Sequence, residues 1–213
     1  MLQVMTPVEA VVIAIVLSIV SAVPGLIVSY KHIEPKRIAR FLVPALVGIP
    51  IGLYLLTIVD GQALKHVIAV FLPFYGGFFL LRRGLPKVGA DYLLLDAAIG
   101  LGSGVLGALA GLSDVLPTVW ASMKPWPKLK IRALLQPLSI AILSISAIAL
   151  LFQGAFTEPV LLALLLAVPV SLIASQIGVT LFKRLSDAQF QTLLIALILL
   201  SGIGIILREL FLP

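Results

Sequence analysis

Long apolar stretches separated by short polar ones run along the whole chain. A helix that crosses a bilayer needs about 20 mostly apolar residues. Six stretches have this character, with approximate bounds 8–29, 41–59, 66–81, 133–152, 160–181 and 188–206. The pattern therefore predicts an all-α polytopic membrane protein with about six full transmembrane helices.

A seventh apolar stretch, 92–122, differs from the others because it is interrupted. Its glycines, followed by Ser113-Asp114 and Pro117, are Gly100, Gly102, Gly104, Gly107 and Gly111. The stretch is too short for two full passes, which would take about 40 residues. We expect a broken, re-entrant pair of half-helices that meet near Ser113-Asp114. The alternative is one long kinked helix whose small residues allow close packing.

The basic residues indicate how the chain is oriented in the membrane. Thirteen of the 15 Lys and Arg residues fall in four short segments, 30–40, 82–91, 123–132 and 182–187. Cytoplasmic loops carry an excess of Lys and Arg, so we expect these four segments to face the cytoplasm. Loops 60–65 and 153–159 then face outward, and 92–122 enters and leaves on the same side.

The composition excludes several classes of protein. Of the residues, 61% are hydrophobic and only 11% are charged, and the mean hydropathy is +1.21. A soluble enzyme or nucleic-acid-binding domain could not cover its surface with so few polar residues. There are no cysteines and two histidines, and neither an HExxH nor a GxSxG motif occurs. We therefore expect no catalytic residues, no metal site and no cofactor.

Two parts of the chain resemble each other. Ile51-Gly52 is followed by Asp60-Gly61-Gln62, and Ile177-Gly178 is followed by Asp187-Ala188-Gln189, at an offset of 126 to 127. The charge pattern puts Asp60 outside and Asp187 inside, so the copies have opposite orientation. Inverted-topology repeats recur in secondary transporters. We expect one membrane domain, 1–213, with a first repeat at 1–91 and a second at 92–213.

The glycine-rich stretch GLGSGVLGALAGLSDVLPTVWA (100–121), followed by Arg132-Ala133, resembles the second-repeat motif of the TauE/SafE family, also called the sulfite exporter or TSUP family. The segment VPALVGIPIG (43–52) resembles that family's first-repeat helices. The resemblance implies a transporter of the bacterial or archaeal cytoplasmic membrane. It also implies export of small anions, such as sulfite, sulfonates or other sulfur-containing or organic anions.

Two departures from the family pattern affect these expectations. The family places a glycine-rich broken segment before the first-repeat helices, so we expect such a hairpin before Met1, or else a site completed in another way, such as a homodimer. The family also often has Gly-Gly-Pro after the break, where this chain reads Gly111-Leu112-Ser113-Asp114 and reaches a proline only at Pro117.

The break is also where we expect the substrate to bind. The residues expected to contact it are Gly107, Gly111, Ser113, Asp114, Pro117 and Gln136. Ser113 and Asp114 would cap the second half-helix, whose free N–H groups suit an anion. An ionisable residue inside a membrane segment indicates function by default, so Asp114 could couple transport to a proton or a co-ion. Gln136 could contact substrate or bond a neighbouring helix. A non-transporting assembly subunit is the alternative function.

Overall fold

The computed structural model describes residues 6–58, 89 and 92–184 of the 213-residue chain, and the regular structure in that part is helical. The elements are α1 (Pro7–Ser29), a 3-10 turn (Tyr30–His32), α2 (Pro35–Ile58), α3 (Leu93–Ala110), α4 (Val115–Ser122), α5 (Lys128–Phe152) and α6 (Glu158–Arg184). Five of the six described α-helices are long and apolar enough to cross a membrane, and the exception is the eight-residue α4. The prediction of an all-helical polytopic membrane protein is confirmed. The predicted spans 66–81 and 188–206 lie outside the described residues.

Helix α1 begins at a capping box. The Thr6 hydroxyl accepts a hydrogen bond from the Glu9 N–H, and the Glu9 carboxylate accepts one from the Thr6 N–H at 2.9 Å. Pro7 at the first helical position lacks an N–H, which would have had no acceptor there. The other Glu9 oxygen accepts a hydrogen bond from the Thr157 hydroxyl at 2.7 Å. This bond joins the start of α1 to the start of α6.

Two helices begin earlier than the apolar pattern predicts. Helix α2 begins at Pro35 rather than near residue 41, and α5 begins at Lys128 rather than near residue 133. The prediction used apolar stretches alone. Long basic side chains in a first turn can reach the membrane surface while the backbone stays helical. The predicted loops 30–40 and 123–132 are therefore partly helical.

Contacts between the helices establish their directions. Ser21 and Ser171 share a hydrogen bond of 2.8 Å, while Glu9 bonds Thr157 near the other end, so α1 and α6 run parallel. Val12 and Ile15, in the first half of α1, share a core cluster with Leu56, near the end of α2. Since residues 30–34 join the end of α1 to the start of α2, these two helices run in opposite directions. Helices α2 and α6 therefore run in opposite directions.

Helices α3 and α4 form an uneven hairpin. The indole N–H of Trp120, near the end of α4, donates a 2.7 Å hydrogen bond to Asp96, near the start of α3. The two ends of the stretch 92–122 thus lie side by side. At 1.5 Å per residue α3 is about 27 Å long and α4 about 12 Å. The segment is broken, as predicted, but the two halves are unequal.

Helices α2 and α3 pack with their backbones in close contact. A Cβ atom built on Gly48 or Gly52 would overlap a carbonyl oxygen of α3, and one built on Gly100 or Gly104 would overlap a carbonyl oxygen of α2. Within a membrane, small residues permit this approach and the packing it provides is a main source of association. The glycines of α3 thus hold this helix along α2. Gly48 lies against Leu101, and Gly52, one turn later, lies against Val105, so the two helices are parallel.

Basic side chains gather where α2, α3 and α5 begin. Lys130 forms an ion pair of 2.9 Å with Glu34, and the Arg37 guanidinium lies 4.4 Å from the Trp126 ring centroid. The Lys124 ammonium lies 5.9 Å from the Tyr92 ring centroid, beside the start of α3. We call this end of the bundle the basic end.

Candidate functional site

The break between α3 and α4 begins at a glycine that the backbone requires. Gly111 has a φ of 71°, in the left-handed region that favours glycine. Its N–H bonds the Gly107 carbonyl, and the Leu112 N–H bonds the Leu106 carbonyl at 3.2 Å. The first of these bonds, from the Gly111 N–H back to the carbonyl four residues earlier, ends α3 in the αL capping motif. The chain can then turn back within four residues to begin α4.

The break lies near the middle of the neighbouring helices. A Cβ on Gly111 would lie 3.4 Å from the Cβ of Ala14, which is about one third of the way along α1. Gly107 faces Ile142, close to the midpoint of α5. The Ser113 hydroxyl, at the break, lies 2.7 Å from the Ser139 hydroxyl, on α5. The break is therefore enclosed between α1 and α5, far from both ends of the bundle.

Asp114 and Ser113 do not cap α4 in the way that we expected. Asp114 occupies the N-cap position, but its side chain makes no capping hydrogen bond. The Ser113 hydroxyl bonds Ser139 instead, and Ser139 also interacts with the Asp114 carboxyl group. The prediction of side-chain capping is wrong because Ser139 of α5, 26 residues further along the chain, binds the Ser113 hydroxyl instead. Ser139, which is not among the residues predicted from the sequence, thus contacts the break.

One carboxyl oxygen of Asp114 is buried without a partner. Its Oδ1 atom has no hydrogen-bond partner among the described residues. A buried polar group that lacks a partner is costly, so such an atom in a native structure calls for an explanation. A proton on this oxygen, a cation or a donor group of a bound ligand would each satisfy it.

The first turn of α4 supplies hydrogen-bond donors beside this carboxyl group. The Thr118 N–H bonds the Asp114 carbonyl at 2.9 Å, while Pro117 is buried and has no N–H. The first N–H groups of a helix have no acceptor within it. The N–H groups at the start of α4 therefore point towards the break, where they are suited to an anion.

Gln136 lies on the same side of α5 as Ser139, about one turn closer to the basic end. Its side-chain oxygen is buried and has no hydrogen-bond partner among the described residues. The amide and the Arg132 side chain both lie against Gly25 of α1, since a Cβ there would fall 3.1 Å from Gln136 Oε1 and 2.9 Å from Arg132 Nε. Polar groups at Arg132, Gln136 and Ser139 thus form a stripe that leads from the basic end to the break.

The structure brings most of the predicted residues together. Gly107, Gly111, Ser113 and Asp114 meet at the break, and Pro117 follows in the first turn of α4. Gln136 lies a turn away, facing Gly25. Within ranges 6–58 and 92–184, no group of three or more His, Asp or Glu residues is arranged to hold a metal ion.

Asp96 and Trp120 lie near the two ends of the hairpin. A tryptophan near the end of a membrane segment is commonly found at the membrane surface. Both side chains are instead 4% exposed, and they bond each other inside the hairpin. Pairing a buried carboxyl with an indole N–H satisfies two polar groups at once, which explains why neither faces the surface.

A bundle of membrane-length helices that encloses a broken helix with buried polar groups defines a polytopic membrane transporter, since transporters place substrate sites at such breaks. The chain matches the family model described as "Sulfite exporter TauE/SafE" over residues 1–205 of its 213. It belongs to that family, which consists of membrane transporters and not enzymes. No curated protein and no solved structure matches the chain.

Proposed function

We propose that the protein exports small sulfur-containing or organic anions, such as sulfite or sulfonates, and binds them at the break between α3 and α4. The observation that carries the proposal is the unpartnered Asp114 oxygen beside the first turn of α4. Family membership supports the substrate class. Backbone N–H groups and the positive end of the α4 dipole would bind the anionic group.

Asp114 makes coupling to a second ion part of this proposal. An ionised carboxylate beside a bound anion would repel it, and a buried charge costs several kcal/mol unless it is paired. The Asp114 carboxyl must therefore be protonated, or paired with a cation, while the anion is bound. The Oδ1 atom has no partner among the described residues, so it can take the proton or the cation.

Replacement of Asp114 tests the site and the coupling together. In proteoliposomes, flux of ethanesulfonate should fall as the pH rises, because the carboxyl loses the proton that permits anion binding. A sulfonate is the best probe, since its own charge stays constant over this range. Asp114→Asn should keep the fold and remove the pH dependence. If a co-ion replaces the proton, the same variant should remove the co-ion dependence.

Gly111→Val provides a second test of the same site. A valine there would be strained at a φ of 71° and would place its side chain towards Ala14, so we expect substrate flux to be lost. Gly154→Val is a matched control, since Gly154 has a φ of 72° but nothing within 4 Å of its Cβ position. Normal flux in Gly111→Val, together with an unchanged pH profile in Asp114→Asn, would place the site elsewhere.

We also propose that the basic end is cytoplasmic and that 92–122 is a re-entrant hairpin of the second repeat. The side-by-side ends of α3 and α4 support re-entrance, and the opposed directions of α2 and α6 support inverted repeats. The paired turns at Asp60 and Asp187, which also mark the repeat, lie outside the described residues.

Single cysteines in this cysteine-free chain can test the orientation. An impermeant thiol reagent added to intact cells should label a cysteine at position 154, between α5 and α6, and not one at position 128. Permeabilised cells should label both. Labelling of 128 and not 154 in intact cells would reverse the orientation.

The location that fits this orientation is the bacterial or archaeal cytoplasmic membrane. We also propose that the protein assembles as a homodimer. Crosslinking in native membranes, followed by flux measurements on the crosslinked species, tests it.

A further inference from the structure

A narrow cleft lies at the basic end, between the starts of α2 and α5 and separate from the break. Its polar lining consists of His32, Glu34, Arg37 and Lys130. Ile38 of α2 and Leu134 of α5 form its apolar side. The cleft is partly open to the surface, and its interior has room for about one water-sized group. A single oxygen of a ligand could therefore enter it from the solution or from the adjacent lipid headgroups, while the rest of the ligand stays at the opening.

Two cations are held in fixed positions in this cleft. Arg37 Nη2 lies 3.2 Å from a carboxyl oxygen of Glu34, and Lys130 Nζ lies 2.9 Å from the other. The Trp126 ring contacts both, with the Arg37 guanidinium 4.4 Å and the Lys130 ammonium 5.6 Å from its centroid. A cation over an indole face is attracted by the ring quadrupole, so Trp126 stabilises this arrangement.

One nitrogen of the Arg37 guanidinium makes no hydrogen bond among the described residues. This atom is Nη1, and it is buried. A guanidinium carries five N–H donors in a planar fork and never gives up its charge. Two positive groups, Arg37 and Lys130, share the single negative charge of Glu34. Among the described residues that line it, the cleft therefore carries more positive than negative charge, and one N–H group there has no acceptor.

We propose that this cleft binds an oxyanion. One oxygen of the ligand accepts a hydrogen bond from Arg37 Nη1, and Lys130 supplies the second positive group. Arginine is suited to this task because its donors are fixed and charge-assisted hydrogen bonds are the strong ones. The oxyanion is either a soluble anion of the kind the protein exports or the phosphate of an anionic lipid. Only the first source rests on the proposed function.

The test measures binding rather than transport. Sulfite is titrated calorimetrically into purified protein in neutral detergent, and lipid binding is compared in nanodiscs of phosphatidylglycerol and of phosphatidylcholine. Arg37→Gln should weaken the binding of the occupying oxyanion about tenfold or more, as expected for loss of a charge-assisted hydrogen bond. Lys130→Gln should weaken it in the same direction. Lys36→Gln, which removes an exposed charge one residue from Arg37, is the matched control and should have little effect.

The outcomes separate the two sources. Weaker sulfite binding in Arg37→Gln identifies a soluble anion, and loss of the phosphatidylglycerol preference alone identifies a lipid headgroup. If Arg37→Gln and Lys130→Gln bind both ligands as the wild type does, or if Lys36→Gln weakens binding equally, the proposal is wrong. Sulfite binding that responds to Asp114→Asn and not to Arg37→Gln supports the site at the break, and it overturns the cleft if Arg37→Gln also keeps the phosphatidylglycerol preference. If the pH dependence of flux is the same in Asp114→Asn as in the wild type, the proposed function at the break is contradicted. The binding result for the cleft is not affected by that outcome.

Discussion

Gly104 offers a stringent test of the backbone contact between α2 and α3. A Cβ there would lie 2.9 Å from the carbonyl carbon of Ala45 and closer still to its oxygen. Carbon atoms in favourable contact are about 3.5 to 4.0 Å apart, so Gly104→Ala requires the helices to separate by on the order of 1 Å. The neighbouring atoms belong to the backbone and cannot rotate away.

The expected loss of stability follows from two opposed effects. Alanine is the better helix former by about 1 kcal/mol, which favours the variant. Overpacking typically costs about 1 to 3 kcal/mol, and a gap of 0.5 to 1 Å forfeits a quarter to a half of each dispersion contact along the interface. Since the close approach continues at Gly48, Gly52 and Gly100, we expect the second effect to dominate. The free energy of unfolding should fall by roughly 1 to 2 kcal/mol.

Gly178→Ala is the matched control for this measurement. Gly178 lies inside α6 and has nothing within 4 Å of its Cβ position, so only the helix-propensity gain applies. Both variants are unfolded reversibly in mixed micelles of increasing SDS fraction, and anion flux is measured in parallel. Displacement of α3 at Gly104 should also disturb Gly107, one turn nearer the break, and reduce flux. Equal stability and equal flux in the two variants would refute the backbone-contact argument.

Two side-chain changes test the contacts within the hairpin and at the break. Trp120→Phe leaves the buried Asp96 carboxyl without its donor and should cost about 1 to 3 kcal/mol of stability, measured in the same micelles, whereas Trp126→Phe should cost less. Comparable losses in the two variants would contradict this assignment. Ser139→Ala removes the hydroxyl that bonds Ser113 at the break. It should reduce sulfonate flux several-fold while the fold stays intact, as judged by gel filtration. Ser144→Ala, five positions later and so on a different side of α5, should transport normally; a similar defect there would argue against a specific role.

The sequence predicted an all-helical, polytopic membrane protein because the membrane imposes strong local constraints. Apolar length was enough to place α1 and α6 to within a few residues, since a span must match the bilayer. The break was predictable from Gly111 and the polar pair after it, because few residues other than glycine adopt the left-handed conformation there. The starts of α2 and α5 were missed because basic side chains do not stop a helix at the membrane surface.

The partners within the site could not be predicted from the sequence. Ser139 meets Ser113 across 26 residues, and Trp120 meets Asp96 across 24, so each pairing depends on how whole helices pack. Nothing local distinguishes Ser139 from the other serines of α5. The cleft at Arg37 was hidden for a related reason, since a basic residue near a membrane surface ordinarily indicates orientation alone.

The unequal lengths of α3 and α4 affect how the site can open and close. The longer helix is held along α2 by glycine contacts over several turns, whereas the shorter one is held by side chains at its two ends. Displacing α3 would break many contacts at once, but displacing α4 would break few. If a transport cycle exposes the break first to one side of the membrane and then to the other, a rotation of α4 about Gly111 would therefore break fewer contacts than a displacement of α3. Such a rotation would have to separate the Ser113 and Ser139 hydroxyls.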